Sequence, residues 1–417
     1  MPSIIHTVTY IFLFTSLYFE VFILVTYLEN RKRMKEENKL IDSFPKKYPT
    51  VSIIVPCWNE EKTVSKTLNS LLNLRYPKNN LEILAIDDGS TDGTFEVLKK
   101  FEKYPQIKIF KKENGGKHSV LNFGIENCTG QYVGCLDADS YVDPNALQNI
   151  MMYFEKDKDA VSVTPSVKIY KPENILQMMQ KVEYGWGILL RKMLSYVGAL
   201  YVTPGPFSIF KKDLFSKIGP YRHAHNTEDM EMAMRIQKHK LKIKNSHNAI
   251  VYTVAPNTVR KLVKQRLRWT YGFIKNVIDY KFIFFKREYG NLGIFILPMA
   301  SLSIISGIYI LTSIVINFLK SLMTEITKIQ AIGFNFKFPE FSSLSIFSIN
   351  TEIIAMLSFA TFIGTLTLLY LSRKMEEGRF KFGMDLIYFL TLYTFIAPIW
   401  LARAVFKALT GAKISWR

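Results

Sequence analysis

The chain has 417 residues, 48% of them hydrophobic, and a formal charge of +19 at pH 7. That apolar content excludes an ordinary soluble enzyme and leaves one large or two modest domains joined to membrane segments. The charge suits phosphorylated substrates or anionic lipid. No DNA- or RNA-binding motif is recognised and the basic residues gather beside apolar stretches, so no nucleic-acid partner is expected.

Residues 4–28, "IIHTVTYIFLFTSLYFEVFILVTYL", are long enough to span a bilayer. The basic run "RKRMK" at 31–35 follows them. This order predicts an uncleaved anchor over 1–30, N-terminus outside and the rest inside. Glu20 within it predicts a contact to a neighbouring helix, or a helix end nearby. Residues 31–50, with Pro45 and Pro49, read as a linker.

From residue 51 the pattern changes. The β-rich runs "VSIIVP", "LEILAIDD", "IKIFKK" and "QYVGCLDAD" alternate with helical patterns such as "EEKTVSKTLNSLLNL". Alternation of this kind predicts an α/β domain over 51–280. A parallel sheet would carry helices on both faces and a ligand site at the strands' carboxyl ends. The three cysteines, Cys57, Cys128 and Cys135, lack metal-ligand spacing and read as buried thiols in a reducing compartment.

Residues 281–417 turn apolar again, with predicted spans at 292–319, 353–371 and 383–402. The loops near 286 and at 372–382 are expected inside, and 320–350 outside, with "GFNFKFPEFSSLSIF" a candidate interfacial segment. A full third crossing would put the basic tail outside, so the last segment, interrupted by Pro398, is not expected to cross simply.

The acidic residues carry the chemistry. Asp137-Ala-Asp139 closes an apolar run, and in an extended segment residues i and i+2 face one side. Two facing carboxylates call for a cation, and oxygen ligands suit Mg2+ or Mn2+ completed by substrate phosphates. The bland reading is a solvated strand end. Asp87 and Asp88 close a second strand, where a carboxylate can accept from a pyrimidine N–H or ribose hydroxyls. Ser90 through Asp92 are expected to cap the next helix. Asn59 and Glu60 follow the first strand and Pro56, with Asn59 a possible cap. Gly115 and Gly116 permit close backbone approach, and Lys117 can neutralise phosphate. The spacing is not that of a P-loop.

These pieces, in this order, resemble the family 2 glycosyltransferases, inverting enzymes of the GT-A, Rossmann-like fold. The resemblance covers roughly 50–280. It strengthens through "TPGPFSIFKKDLFSKIGPY" at 203–221, the T-E-D triplet Thr227-Glu228-Asp229 and "KQRLRW", which fits Q-x-x-R-W at Gln265, Arg268 and Trp269. The flanking apolar segments suit the membrane-embedded branch, which includes hyaluronan, chitin, cellulose and poly-N-acetylglucosamine synthases. The resemblance implies that Asp87, helped by Pro56, Glu60 and Asp88, holds the nucleotide, and that Lys117 faces the diphosphate. Asp139 would bind the metal, with Asp137 in its shell or on the nucleotide. Asp229 would be the general base. Gln265, Arg268 and Trp269 would hold the diphosphate, and Trp269, Gly205 and Glu228 would frame the acceptor. The implied activity is metal-dependent transfer from a nucleotide sugar, with uridine expected, to a growing polysaccharide. Processive addition by a multi-pass plasma-membrane protein with a cytoplasmic catalytic domain is the leading expectation. The runner-up is single transfer to a membrane lipid such as a polyprenyl phosphate or diacylglycerol.

Overall fold

The structure, a computed structural model, describes residues 4–39, 45, 47–333, 352–379 and 381–411. Eight strands form one sheet: β1 (Val51–Cys57), β2 (Leu81–Asp88), β3 (Ile107–Lys112), β4 (Tyr132–Cys135), β5 (Ser140–Val142), β6 (Ala160–Ile169), β7 (Ile209–Lys211) and β8 (Lys242–Thr253). The helices of the sheet domain are α3 (Val64–Leu72), α4 (Thr94–Lys99), α5 (Lys117–Asn127), α6 (Ala146–Lys156), α7 (Ile175–Tyr196), α8 (Asp213–Ile218), α9 (Glu228–Lys238) and α10 (Val259–Asp279). They are preceded by α1 (Ile4–Glu29) and α2 (Arg31–Asn38). They are followed by α11 (Leu297–Ile332), α12 (Ile353–Glu377), α13 (Met384–Tyr388) and α14 (Thr394–Thr410).

The apolar runs of β1 and β2 are buried on both faces, as strands sandwiched between helix layers must be. One core packs α3 and α6 on the sheet; the other holds α5, α8 and α9. The strand order is β3-β2-β1-β4-β7-β6-β8-β5. The first four strands are mutually parallel, with Cys57 beside Asp87 and Ile54 beside Cys135. Their carboxyl ends therefore share one edge.

The sheet is mixed rather than wholly parallel. β7 runs antiparallel between β4 and β6, and β5 antiparallel to β8. Because β7 starts where β4 ends, the segment before it, 203–208, is laid across the carboxyl edge. The Phe207 N–H donating to Cys135 O (2.5 Å) fixes it there.

Among the described residues four helical stretches are long and apolar enough to cross a membrane: His6–Glu29, Leu292–Ala331, Ile353–Glu377 and Met384–Thr410. Glu20 meets α12, where the Thr365 hydroxyl donates to its Oε1 (2.6 Å). The 292–319 segment continues to Ile332 through a π-turn and α11, so the chain between 320 and 332 is helix rather than loop. "GFNFKFPEFSSLSIF" lies outside the described residues save Gly333. The last segment keeps its helical course through Pro398 and packs along α10.

α2 forms part of the expected linker and docks on the sheet domain. Glu37 is buried there among Lys192 Nζ (2.5 Å) and the hydroxyls of Tyr153 and Tyr196 (both 3.0 Å). Burial opposes its charge, yet Lys192 and these hydroxyls hold its pKa below the ordinary value. The anchor is thereby tied to α7, whose other face looks onto the site.

Candidate active site

A cavity of 1070 Å³ opens at the carboxyl edge of the sheet, walled on the far side by α7 and α10. It takes in every residue expected at the site except Asp87.

Asp137 and Asp139 lie in the turn joining β4 to β5 rather than in extended strand. The Ser140 N–H donates to Asp137 O (2.9 Å), and Thr67 donates to Ala138 O (2.8 Å), which pins the turn. Lys117, at the first turn of α5, forms an ion pair with Asp137. That pairing lifts the Lys117 pKa against the pull of burial. Burial, with Asp137 and Glu60 close by, pushes Asp139 up to about 6. Gly205, on the segment laid over the edge, has no Cβ to crowd Lys117, whose Nζ would lie 3.0 Å from one.

The other acidic strand end behaves differently. Successive side chains of a strand point to opposite faces. Asp87 is fully buried; its Oδ1 accepts from Ser90 N–H (3.3 Å) and its Oδ2 has no partner. Asp87, expected on the nucleotide, is therefore buried beside the cavity rather than in its lining. Asp88 lines the cavity, and its oxygens accept from the N–H groups of Gly115 (3.0 Å) and Gly116 (2.9 Å) and from Lys112 (2.7 Å). Asp88 thus shapes the Gly-Gly-Lys turn that presents Lys117. Asn59 caps no helix. It sits at φ 56 and accepts through Oδ1 from Thr91 N–H (2.9 Å), joining the first and second loops. Of the expected caps, Asp92 accepts from the Thr94 N–H (3.0 Å).

Glu228 and Asp229 occupy the first turn of α9, where the helix dipole favours negative charge. Burial raises the pKa of both, opposed chiefly by Lys117. The loop before them is strained: Ala224, His225 and Asn226 all have positive φ. Helix α10 holds it. Arg268 donates to Asn226 O (2.9 Å), Asn276 to the Thr227 hydroxyl (2.9 Å), and Gly272 leaves room for the Thr227 methyl, 2.3 Å from where a Cβ would stand.

Gln265, Arg268 and Trp269 share one face of α10 at i, i+3 and i+4. Sequence reasoning missed Arg266, between them. It forks onto Glu183 of α7 (2.9 and 2.5 Å), donates to Gln265 Oε1 (2.6 Å), and lies 4.2 Å over the Trp269 ring. The pair Glu183–Arg266 ties α7 to α10 and orients the tryptophan. Nothing in the order of residues reveals that 83-residue contact. Arg191 of α7, also in the wall, was missed for the same reason.

The mixed sheet, its loaded carboxyl edge and the apolar helices at both ends define a GT-A, Rossmann-like domain with flanking membrane-capable helices. The solved structure of "Mannosyltransferase PcManGT from Pyrobaculum calidifontis" shares the fold, with a TM-score of 0.58 at 17% identity over 96% of this chain and 99% of that one. Residues 52–219 match the family model "Glycosyl transferase family 2". It is 32% identical over 273 residues to a poly-beta-1,6-N-acetyl-D-glucosamine synthase of Staphylococcus epidermidis, 65% of each chain. It is 33% identical over 224 residues to a synthase of the same name from Staphylococcus aureus (strain COL), 53% of this chain and 54% of that one. The chain thus matches between half and two thirds of the length of these relatives.

Proposed function

We propose that the chain is an inverting glycosyltransferase that moves a sugar from a UDP-sugar to a growing polysaccharide, by repeated addition at a membrane. The observation that carries this reading is the single cavity in which Lys117, Asp137, Asp139, Asp229 and Arg268 meet. The relatives named as poly-beta-1,6-N-acetyl-D-glucosamine synthases support N-acetylglucosamine as the sugar and glycan as the acceptor.

Inverting transfer needs an ionised base opposite the departing diphosphate. Asp229 takes the proton from the acceptor hydroxyl as its oxygen attacks the anomeric carbon. Lys117 and Arg268 stabilise the charge gathering on the diphosphate. Glu228 stands beside the base, and Trp269 offers its face to a sugar ring. Asp137 and Asp139 fit a divalent cation: two carboxylates line one cavity, and burial followed by the Asp137 charge raises the proton affinity of Asp139, charge that a cation would offset. Among the described residues no cluster of three acidic, histidine or cysteine ligands occurs, which suits magnesium or manganese completed by phosphate oxygens. When bound, the cation would supply further charge stabilisation to the leaving diphosphate.

The basic run after α1 and the basic segment after α12 support a cytoplasmic face for the cavity, where nucleotide sugars are made. The test is the detergent-purified chain with Mn2+ or Mg2+, a panel of nucleotide sugars, diphosphate release and product sizing. Long products from UDP-N-acetylglucosamine support the reading. A single sugar on a polyprenyl phosphate or diacylglycerol gives the runner-up instead.

A further inference from the structure

Several charged groups in the cavity wall have a protein partner, whereas Arg191 keeps buried donors that have none. Lys117 has Asp137, Asp88 has Lys112, Glu183 has Arg266, and Arg268 has the Asn226 carbonyl. Arg191 lines the same cavity from α7, yet its Nε and Nη2 have no hydrogen-bond partner. Burial pulls its pKa down to about 10, opposed only by Tyr184 and Tyr201. The guanidinium rests over Gly187, the residue one turn earlier, where a Cβ would stand 3.1 Å from Nη1. A guanidinium held out of water with donors unpaired is costly unless something arrives to accept from it.

We infer that Arg191 is an acceptor-binding residue, donating to hydroxyl or amide oxygens of a neutral glycan lodged between α7 and α10. The inference rests on the transferase reading above and narrows its acceptor. Three observations select a neutral, oxygen-rich molecule. The lining carboxylates outnumber lysines and arginines seven to three, so an anionic acceptor would enter against an acidic surplus. Tyr184 and Tyr201 lie beside Arg191, and the 37% exposed Trp269 lines the same cavity, flat side chains suited to the faces of sugar rings. The planar, permanently charged guanidinium can donate to two oxygens at once.

The experiment uses the full chain in detergent with UDP-N-acetylglucosamine as donor and a soluble β-1,6-linked N-acetylglucosamine oligosaccharide as acceptor. Arg191→Met keeps an unbranched stem and removes every donor; Arg191→Lys restores one charge without the fork. The acceptor KM should rise at least about tenfold in Arg191→Met, the scale of a lost hydrogen bond to a charged group, and less in Arg191→Lys. The Kd for UDP, measured by calorimetry, should stay within about twofold, which also shows that the variants are folded. An unchanged acceptor KM overturns the inference. So does a matching loss of UDP affinity in both variants, which would put Arg191 on the donor or in the fold. If the wild-type chain instead glycosylates polyprenyl phosphate in vesicles and Arg191→Met loses that activity, the group serves a lipid phosphate and the neutral-glycan assignment falls. If the wild-type chain releases diphosphate from no nucleotide sugar, the transferase reading fails first; a working wild type with an unaffected Arg191→Met fails this inference alone.

Discussion

Two pairs of acids end two parallel strands of the same sheet, and their surroundings differ. Asp87-Asp88 closes β2 and Asp137-Ala-Asp139 follows β4, both after apolar runs at the same edge. In the first pair Asp87 is buried with one oxygen unpartnered, and Asp88 gathers the N–H groups of the glycine turn at the cavity's edge. The second faces the cavity, and among the described residues Lys117 pairs with it. An acid that accepts from backbone N–H groups braces a loop; an acid facing a cavity beside another acid keeps charge that the protein does not fully offset.

The largest expected effect lies on the open pair. Asp139→Ala should abolish metal-dependent UDP binding, because the diphosphate and the remaining acids lose their shared cation. A UDP titration with and without Mn2+ checks this; undiminished affinity removes the metal role from Asp139.

Asp229→Asn sets a third acidic site against both pairs. Transfer should fall by about 10²-fold or more, the scale of general-base loss, while UDP affinity stays near normal. Glu228→Gln is the companion, and a dead Glu228 variant beside an active Asp229 variant would shift the base by one residue. The pH dependence has a definite sign. Burial raises the Asp229 pKa, and the base works ionised. Turnover should therefore climb with pH through a midpoint above the ordinary aspartate value of about 3.9, and Asp229→Asn should lose that limb.

Arg268→Ala should lower turnover by at least about 10²-fold, the scale of losing one charge-stabilising donor. It also frees the strained loop held through Asn226. Lysine should rescue in part, lacking the planar fork. Full activity in Arg268→Ala would confine this arginine to a structural role.

The smallest effect belongs to the closed pair. Asp88→Asn keeps one acceptor oxygen but loses the charge facing Lys112 and the second N–H. A cost of about 1–3 kcal/mol is expected, read as a lower thermal midpoint, with UDP binding weakened far less than in Asp139→Ala. If Asp88→Asn loses UDP as completely as Asp139→Ala, the contrast between the pairs dissolves.

Much was legible in the residues. Runs such as "VSIIVP" and "LEILAIDD" are mostly apolar and include β-branched residues, so they read as buried strands of a parallel sheet. The long apolar segments specify membrane-capable helices by length alone. The order of the T-E-D and Q-x-x-R-W motifs resembles that of the family 2 glycosyltransferases, and helical spacing puts Gln265, Arg268 and Trp269 on one face of α10.

What only the tertiary structure decided are the relations between distant parts. Strand alternation says that Asp87 and Asp88 face opposite ways but not which way the cavity lies; that follows from where α5 and its glycine turn pack. The direction of β7, set by the return of the chain from α7, lays Gly205 over Lys117 and Asp137. The union of Glu183 with Arg266, the docking of Glu37 on Lys192, and the unpaired Arg191 depend on α7 lying between the sheet and the membrane helices. A sequence specifies local geometry through its nearest neighbours, whereas the pairing of a buried charge is settled by whichever distant groups the fold brings within a few ångströms.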